Sequence, residues 1–166
     1  MTTAVEIRAA VLTVSDRSAR GEREDESGPV LAGLLREAGA QVVAQAVVSD
    51  EPALLARRLR ALADREDVNL VVTTGGTGLG PRDNTPEAMY NVIEKHVPGI
   101  AEAMRAETLK QTPTAMLSRG VCGVRSGALV LNLPGSPRAV RECFAVIRPV
   151  LAHAVSQLAG GDHEKK

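Results

Sequence analysis

The sequence contains no tryptophan, one phenylalanine and one tyrosine. Its core must therefore be assembled from Val, Leu, Ile and Ala. Almost no rings remain on which bases could stack, which argues against binding of single-stranded nucleic acid. An excess of one charge is also missing, since 20 Lys and Arg balance 20 Asp and Glu. No global positive field exists to draw nucleic acid or an anionic membrane to the chain, which leaves a local basic patch as the alternative. No apolar run approaches the roughly 20 residues of a spanning helix. The opening "MTTAVEIRAAVLTVSD" lacks a basic region followed by an apolar block, so no secretory signal is read. Two cysteines, Cys122 and Cys143, have no close Cys or His partner and lack zinc spacing. Two buried free thiols and a cytoplasmic location are expected.

What is present is an alternation of short elements. The chain's 166 residues suit one domain. Residues 7–14, 40–48 and 68–74 read as strands, the first a nearly unbroken apolar run of the kind found in buried parallel sheets. Helical spacing covers 29–38, 53–64, 87–95 and 100–109. Then "VCGVRSGALVLNLPG" reads as two short strands joined at Ser126-Gly127 in a tight hairpin. Residues 137–158 form an apolar helical stripe, with a kink or restart expected at Pro149. The expectation is a single α/β domain over 1–160, with a mainly parallel sheet covered on both faces and a small hairpin near the C-terminal third. Residues 161–166 read as a frayed tail. Ligands bind such sheets outside the carboxyl ends of the strands, where this sequence carries polar residues.

The segment "VVTTGGTGLGPRDNTPEAM", residues 71–89, follows the third strand. Gly75, Gly76, Gly78 and Gly80 crowd into it. It lacks the Gly-Lys-Ser/Thr of a P-loop, and Pro81 stands where a dinucleotide fingerprint needs its third glycine. Glycines let backbone N–H groups approach an anion and form a nest, although a plain strand-to-helix turn remains the alternative. Thr85 with Pro86 at the first helical position, or Asn84 with Glu87 reaching back, could cap the next helix. Asp50 and Asp83 each follow a strand end. Two carboxylates suit Mg²⁺, which completes its shell with substrate phosphates. Singly, Asp50 could instead cap the helix at Pro52, and Asp83 could pair with Arg82 or cap the next helix. Together, beside a glycine cradle, they favour the metal. The loop Ser15 to Pro29 exceeds the usual length of about 2–6 residues, so it is either functional or simply solvated charge. Ser27-Gly28 at its end could bind an anion or cap a helix. In "NLPGSP", Ser136 could cap the last helix, whose N-terminus would favour an anion. No nucleophile–base pair is visible, and His96, His153 and His163 have no mutual metal or triad spacing.

Three stretches, "LTVSDRSARGEREDESGP", "TTGGTGLGPRDNTPEA" and "PTAMLSRGVCGVRSGALVLNLPGSP", together resemble the molybdenum cofactor biosynthesis family, in its MogA/MoaB-type molybdopterin adenylyltransferase branch. The resemblance spans about residues 5 to 158. It implies a three-layer α/β/α fold assembled as trimers, or hexamers in one branch. It also implies Mg²⁺-dependent transfer of AMP from ATP to the terminal phosphate of molybdopterin, with hand-over of the product to a molybdenum-insertion enzyme. Asp50 and Asp83 match the family's catalytic and metal-binding carboxylates. Gly75, Gly76, Thr77 and Gly78 match its nucleotide-phosphate segment, with Arg82 assisting or orienting Asp83. Ser15, Asp16, Ser27, Gly28, Ser118, Arg119, Pro134, Gly135 and Ser136 fall in its pocket-lining segments. Asn84 departs from related sequences and is expected to alter only a local cap. A non-catalytic molybdopterin-binding module of the same fold, and a generic Mg²⁺-dependent phosphohydrolase, are the alternatives.

Overall fold

The computed structural model describes residues 4–161. The tail expected to fray lies, for residues 162–166, outside the described residues. In chain order the elements are β1 (Arg8–Val14), α1 (Asp16–Ala19), α2 (Ser27–Glu37), β2 (Gln41–Val48), α3 (Pro52–Ala63) and β3 (Leu70–Thr74). They continue with α4 (Thr85–Tyr90), β4 (Lys95–His96), α5 (Pro98–Leu109), a 3-10 turn at Pro113–Leu117, β5 (Cys122–Arg125), β6 (Ala128–Leu133) and α6 (Pro137–Leu158). Six strands form one sheet in the order β2-β1-β3-β6-β5-β4. The β1–β2, β1–β3 and β3–β6 pairs are parallel, while β5 is antiparallel to β6 and β4.

Alternation along the strands divides the core. Ala9 and Val11 of β1 face α2, α5 and α6, where Leu31, Leu35, Met104, Phe144, Ile147 and Leu151 are buried. Ala10, Leu12 and Val14 face α3 and α4, against Leu55, Leu59 and Met89. Strands buried on both faces cannot alternate apolar with polar, which explains the continuous apolar runs. The result is the expected three-layer α/β/α arrangement. Both cysteines are free and buried, as expected, and burial pushes their thiols up to about 12 for Cys122 and about 11 for Cys143.

The hairpin turn falls where it was expected. Ser126 and Gly127 both take positive φ, 49° and 78°, which matches the right-handed twist of β5 and β6. Three expectations are corrected. The helix expected over 87–95 ends at Tyr90, because Glu94 N–H and Val97 N–H donate to Val124 O and Cys122 O and make Lys95–His96 an edge strand. No restart occurs at Pro149. The α6 helix runs unbroken from Pro137 to Leu158, since Pro149 faces solvent while Ile147 and Leu151 beside it are buried in the same core. The long loop after β1 is partly helical, through α1, and α2 starts at Ser27, before Pro29.

This topology places the carboxyl ends of β1, β2, β3 and β6 along one edge. Ser15, Ser49-Asp50, Gly75 and Pro134-Gly135-Ser136 follow those ends directly. The sheet reverses its direction of winding between β1 and β3, the position at which open α/β sheets open a crevice.

Candidate active site

Gly75 and Gly76 turn the chain out of β3 with φ of 103° and 69°. A side chain at Gly75 would collide with the Val14 carbonyl, and one at Gly76 with the Thr85 hydroxyl. The turn is tied down from three sides. Gly75 N–H donates to Leu133 O at 3.0 Å, the buried Thr85 hydroxyl donates to Gly75 O at 3.0 Å, and Thr74 Oγ1 donates to Pro134 O at 2.7 Å. Glycine is therefore a requirement of close backbone packing here, beyond any ligand it admits.

Two carboxylates lie against this turn. A Cβ on Gly76 would sit 3.0 Å from Asp50 Oδ2, and one on Gly78 or Gly80 would sit 2.9 Å or 2.8 Å from Asp83 Oδ2. Asp83 Oδ2 accepts Gly80 N–H at 2.8 Å, which folds the carboxylate back over the glycine segment. Asp50 is buried, 6% exposed, and accepts Asn84 N–H on Oδ1 at 3.1 Å. Burial pushes the Asp50 carboxyl up to about 6. Asn84 N–H opposes that shift, the nearby Asp83 and Asp16 charges add to it, and Arg82 opposes it. Asp16 behaves in the opposite way. Hydrogen bonds from Arg82 and from Asp50 N–H hold its carboxyl at about 2.

Several alternatives left open by the sequence are now decided. Glu51, and not Asp50, caps α3, accepting Ala53 N–H and Leu54 N–H at 3.2 Å and 2.7 Å. Arg82 pairs with Asp16 at 2.9 Å and 3.0 Å, so it does not orient Asp83 by a direct bond. Neither Asn84 nor Thr85 caps α4 through its side chain, and Glu87 pairs with Arg119 instead of reaching back. Ser15 caps α1, and Ser136 caps α6 by accepting Ala139 N–H at 3.1 Å. Gly28 N–H donates to Asp25 Oδ1 at 3.0 Å, while Asp25 Oδ2 accepts the Thr13 hydroxyl at 2.7 Å.

The residues named from the sequence separate into three groups. Ser15, Ser27, Gly75, Gly76, Gly135 and Ser136 line a polar cleft of about 390 Å³, with Gly28 packed just behind it against Thr13 and Asp25. Ser118 and Pro134 line a separate pocket of about 220 Å³, walled by Ala101, Met104, Ala139 and Cys143. Asp16, Asp50, Arg82, Asp83, Thr77, Gly78 and Arg119 build the glycine segment and its supports. Arg119 is occupied by the fold. Its N–H donates to Thr77 O at 2.9 Å, and its guanidinium donates to Gly78 O, Asp83 O and the Glu87 carboxylate. Sequence reasoning missed Thr13, Asp25, Thr74 and Arg105, and read Thr85 and Glu87 only as helix caps. All but Arg105 lie in the quoted motifs, but apart from the local Asp25–Gly28 bond their partners are 10 to 60 residues away and leave no local signal.

The donor set fits a hard divalent cation. Asp50 and Asp83 offer carboxylate oxygens against the same glycine segment, and a positive charge beside Asp50 would relieve its raised carboxyl. Among the described residues no group of three or more His, Cys, Asp and Glu could hold an ion. An ion at this pair would draw the rest of its shell from water and ligand oxygens, as Mg²⁺ does on nucleotide phosphates.

Residues 10–153 match the profile of the family described as "Probable molybdopterin binding domain". The chain belongs to this family. It is 45% identical over 158 residues to the molybdenum cofactor synthesis protein cinnamon of Drosophila melanogaster, covering 94% of this chain but 26% of that one. The chain thus spans about a quarter of that relative's length. With the molybdopterin adenylyltransferase of Helicobacter pylori strain J99 it shares 40% identity over 156 residues, 93% of this chain and 89% of the relative. Among solved structures it resembles the molybdopterin biosynthesis enzyme MoaB of Thermus thermophilus, with a TM-score of 0.87 and 48% identity. That match covers 93% of this chain and 97% of the other. The family's fold is the three-layer sheet described above.

Proposed function

We propose that the chain is a molybdopterin adenylyltransferase acting in molybdenum cofactor biosynthesis, with residues 1–160 as its working unit. An oxygen of the terminal phosphate of molybdopterin attacks the α-phosphorus of ATP. A new phosphoanhydride bond forms, the α–β bond breaks, and pyrophosphate leaves. The observation that carries this reading is the pairing of Asp50 with Asp83 around the glycine turn, at the carboxyl edge of the parallel strands. The relative of nearly equal length named for this activity supports it.

The nucleophile is already anionic at neutral pH, so the site needs no general base. Its work is positioning and charge neutralisation. Mg²⁺ held by Asp50 and Asp83 would neutralise charge on the phosphates. The polar cleft, with the N-termini of α2 and α6 at its rim, suits the anionic phosphates, and the more apolar pocket beside Ser118 suits a flat heterocycle. Arg82 and Arg119 act on the site through the glycine segment they brace. The working assembly is a homotrimer or hexamer in the cytoplasm, and the product passes to a molybdenum-insertion enzyme.

The test is pyrophosphate release by purified protein given ATP, Mg²⁺ and molybdopterin. Release that requires all three is expected. Tight molybdopterin binding without turnover would decide for a non-catalytic module, and nucleotide hydrolysis without the pterin would decide for a phosphohydrolase.

A further inference from the structure

Asp16 was expected in a pocket wall, yet it lines neither the polar cleft nor the apolar pocket. Its carboxylate is engaged with three donors from two distant segments. Oδ1 accepts Asp50 N–H at 2.9 Å and Arg82 Nη2 at 3.0 Å, and Oδ2 accepts Arg82 Nε at 2.9 Å. Each segment carries one member of the acidic pair, because Arg82 directly precedes Asp83. A second link closes on the other side of Asp83. Asn84 N–H donates to Asp50 Oδ1 at 3.1 Å, and Asn84 Nδ2 donates to Asp50 O at 3.3 Å. The contacts form a ring running from the Asp50 backbone through Asp16 and Arg82 to Asp83, then through Asn84 back to Asp50.

We propose that Asp16 is a positioning residue that, with Arg82, sets the separation and aim of Asp50 and Asp83. It holds the two strand-end loops in register without touching ligand. This rests on the reading of those carboxylates as the cation-binding pair. The Arg82 side chain is 60% exposed, so its ion pair contributes little to global stability. What the contact does fix is local geometry. Carboxylates that serve an ion have to be held in place, and the groups behind them govern affinity nearly as strongly as the ligands themselves. Asn84 is the other half of the brace rather than a simple cap.

The test compares wild type with Asp16→Asn, Asp16→Ala, Arg82→Ala and the Asp16→Asn/Arg82→Ala double variant in the full chain. Asn at 16 keeps an acceptor for Asp50 N–H but loses the ion pair, whereas Ala loses both. Mn²⁺ binding, followed by electron paramagnetic resonance with a non-hydrolysable ATP analogue, is expected to weaken by about 10-fold to 100-fold. Asp16→Ala should weaken it most, and the double variant should be no worse than either of its single changes. The amide resonance of Asp50 should shift strongly in Asp16→Ala. Folding, followed by circular dichroism, and KM for molybdopterin should stay near wild type, with the loss falling on the Mg²⁺ half-saturation. Unchanged Mn²⁺ affinity in Asp16→Ala, independent effects of the two changes, or a loss confined to KM for molybdopterin would each overturn the proposal. If the wild type binds Mn²⁺ but releases no pyrophosphate, the proposed activity fails while the Mn²⁺ and amide measurements still decide the role of Asp16.

Discussion

Asp50 carries its charge where burial makes charge costly. Its folded-state value of about 6 lies above the ordinary 3.8, so between those values the native protein holds a proton that the unfolded chain has released. The stability linked to this carboxyl is present below about pH 4 and is lost as pH rises toward 6. Asp83, Asp16 and Arg82 are the charged groups facing it. Asp50→Asn removes that loss and is expected to stabilise the protein at pH 7 by about 1 kcal/mol after allowance for screening. The advantage should shrink toward pH 4 in urea denaturation, and turnover should be abolished. A stability difference that does not vary with pH would contradict the assignment. Asp16 has the opposite sign. Its carboxyl is held at about 2, so its contribution is present above the ordinary 3.8 and fades as pH falls toward 2. Asp83→Ala is expected to remove turnover by at least about 100-fold with molybdopterin binding retained, which equilibrium binding and pyrophosphate release measure separately.

At the scale of elements, the glycine turn is a packed object. Gly76→Ala forces a side chain into a positive-φ site already filled by Thr85 and Asp50. A destabilisation of about 2 kcal/mol or more is expected, read as a lower urea midpoint, together with loss of turnover. Arg119 braces the same segment through Thr77 O, Gly78 O and Asp83 O. Ser136→Ala removes the cap of α6 and is expected to cost about 1 kcal/mol. The α3 and α6 starts were legible because a proline and a capping side chain adjoin in sequence. The end of α4 was not legible, because β5 recruits Lys95–His96 to the sheet edge across some 30 residues. The restart expected at Pro149 did not occur, for a related reason. A helix whose apolar stripe is anchored on both sides of a proline continues through it.

For the whole molecule, four strands end along one edge, and the segments after β1, β3 and β6 line the polar cleft there. The core on each face of the sheet is closed by apolar side chains packed on one another. Removal of divalent ions with EDTA is therefore expected to stop turnover while leaving Tm and far-UV circular dichroism unchanged. No described helix is long and apolar enough to cross a membrane. Sedimentation velocity is expected to give three or six times the monomer mass, and a monomer at working concentration would overturn the proposed assembly.

Legible in the sequence were a sheet covered on both faces, the parallel strands, the hairpin and the acidic residues beside the glycine turn. These follow from apolar runs, glycine and proline placement, and polar residues at strand ends, which are local features. Which side chain holds which partner became visible only in the assembled fold. Arg82 binds Asp16 across 66 residues rather than its neighbour Asp83, and Arg119 binds the glycine segment across 41. A long charged side chain takes the partner that the assembled sheet edge offers it, and that partner is set by strand order, which no local spacing encodes.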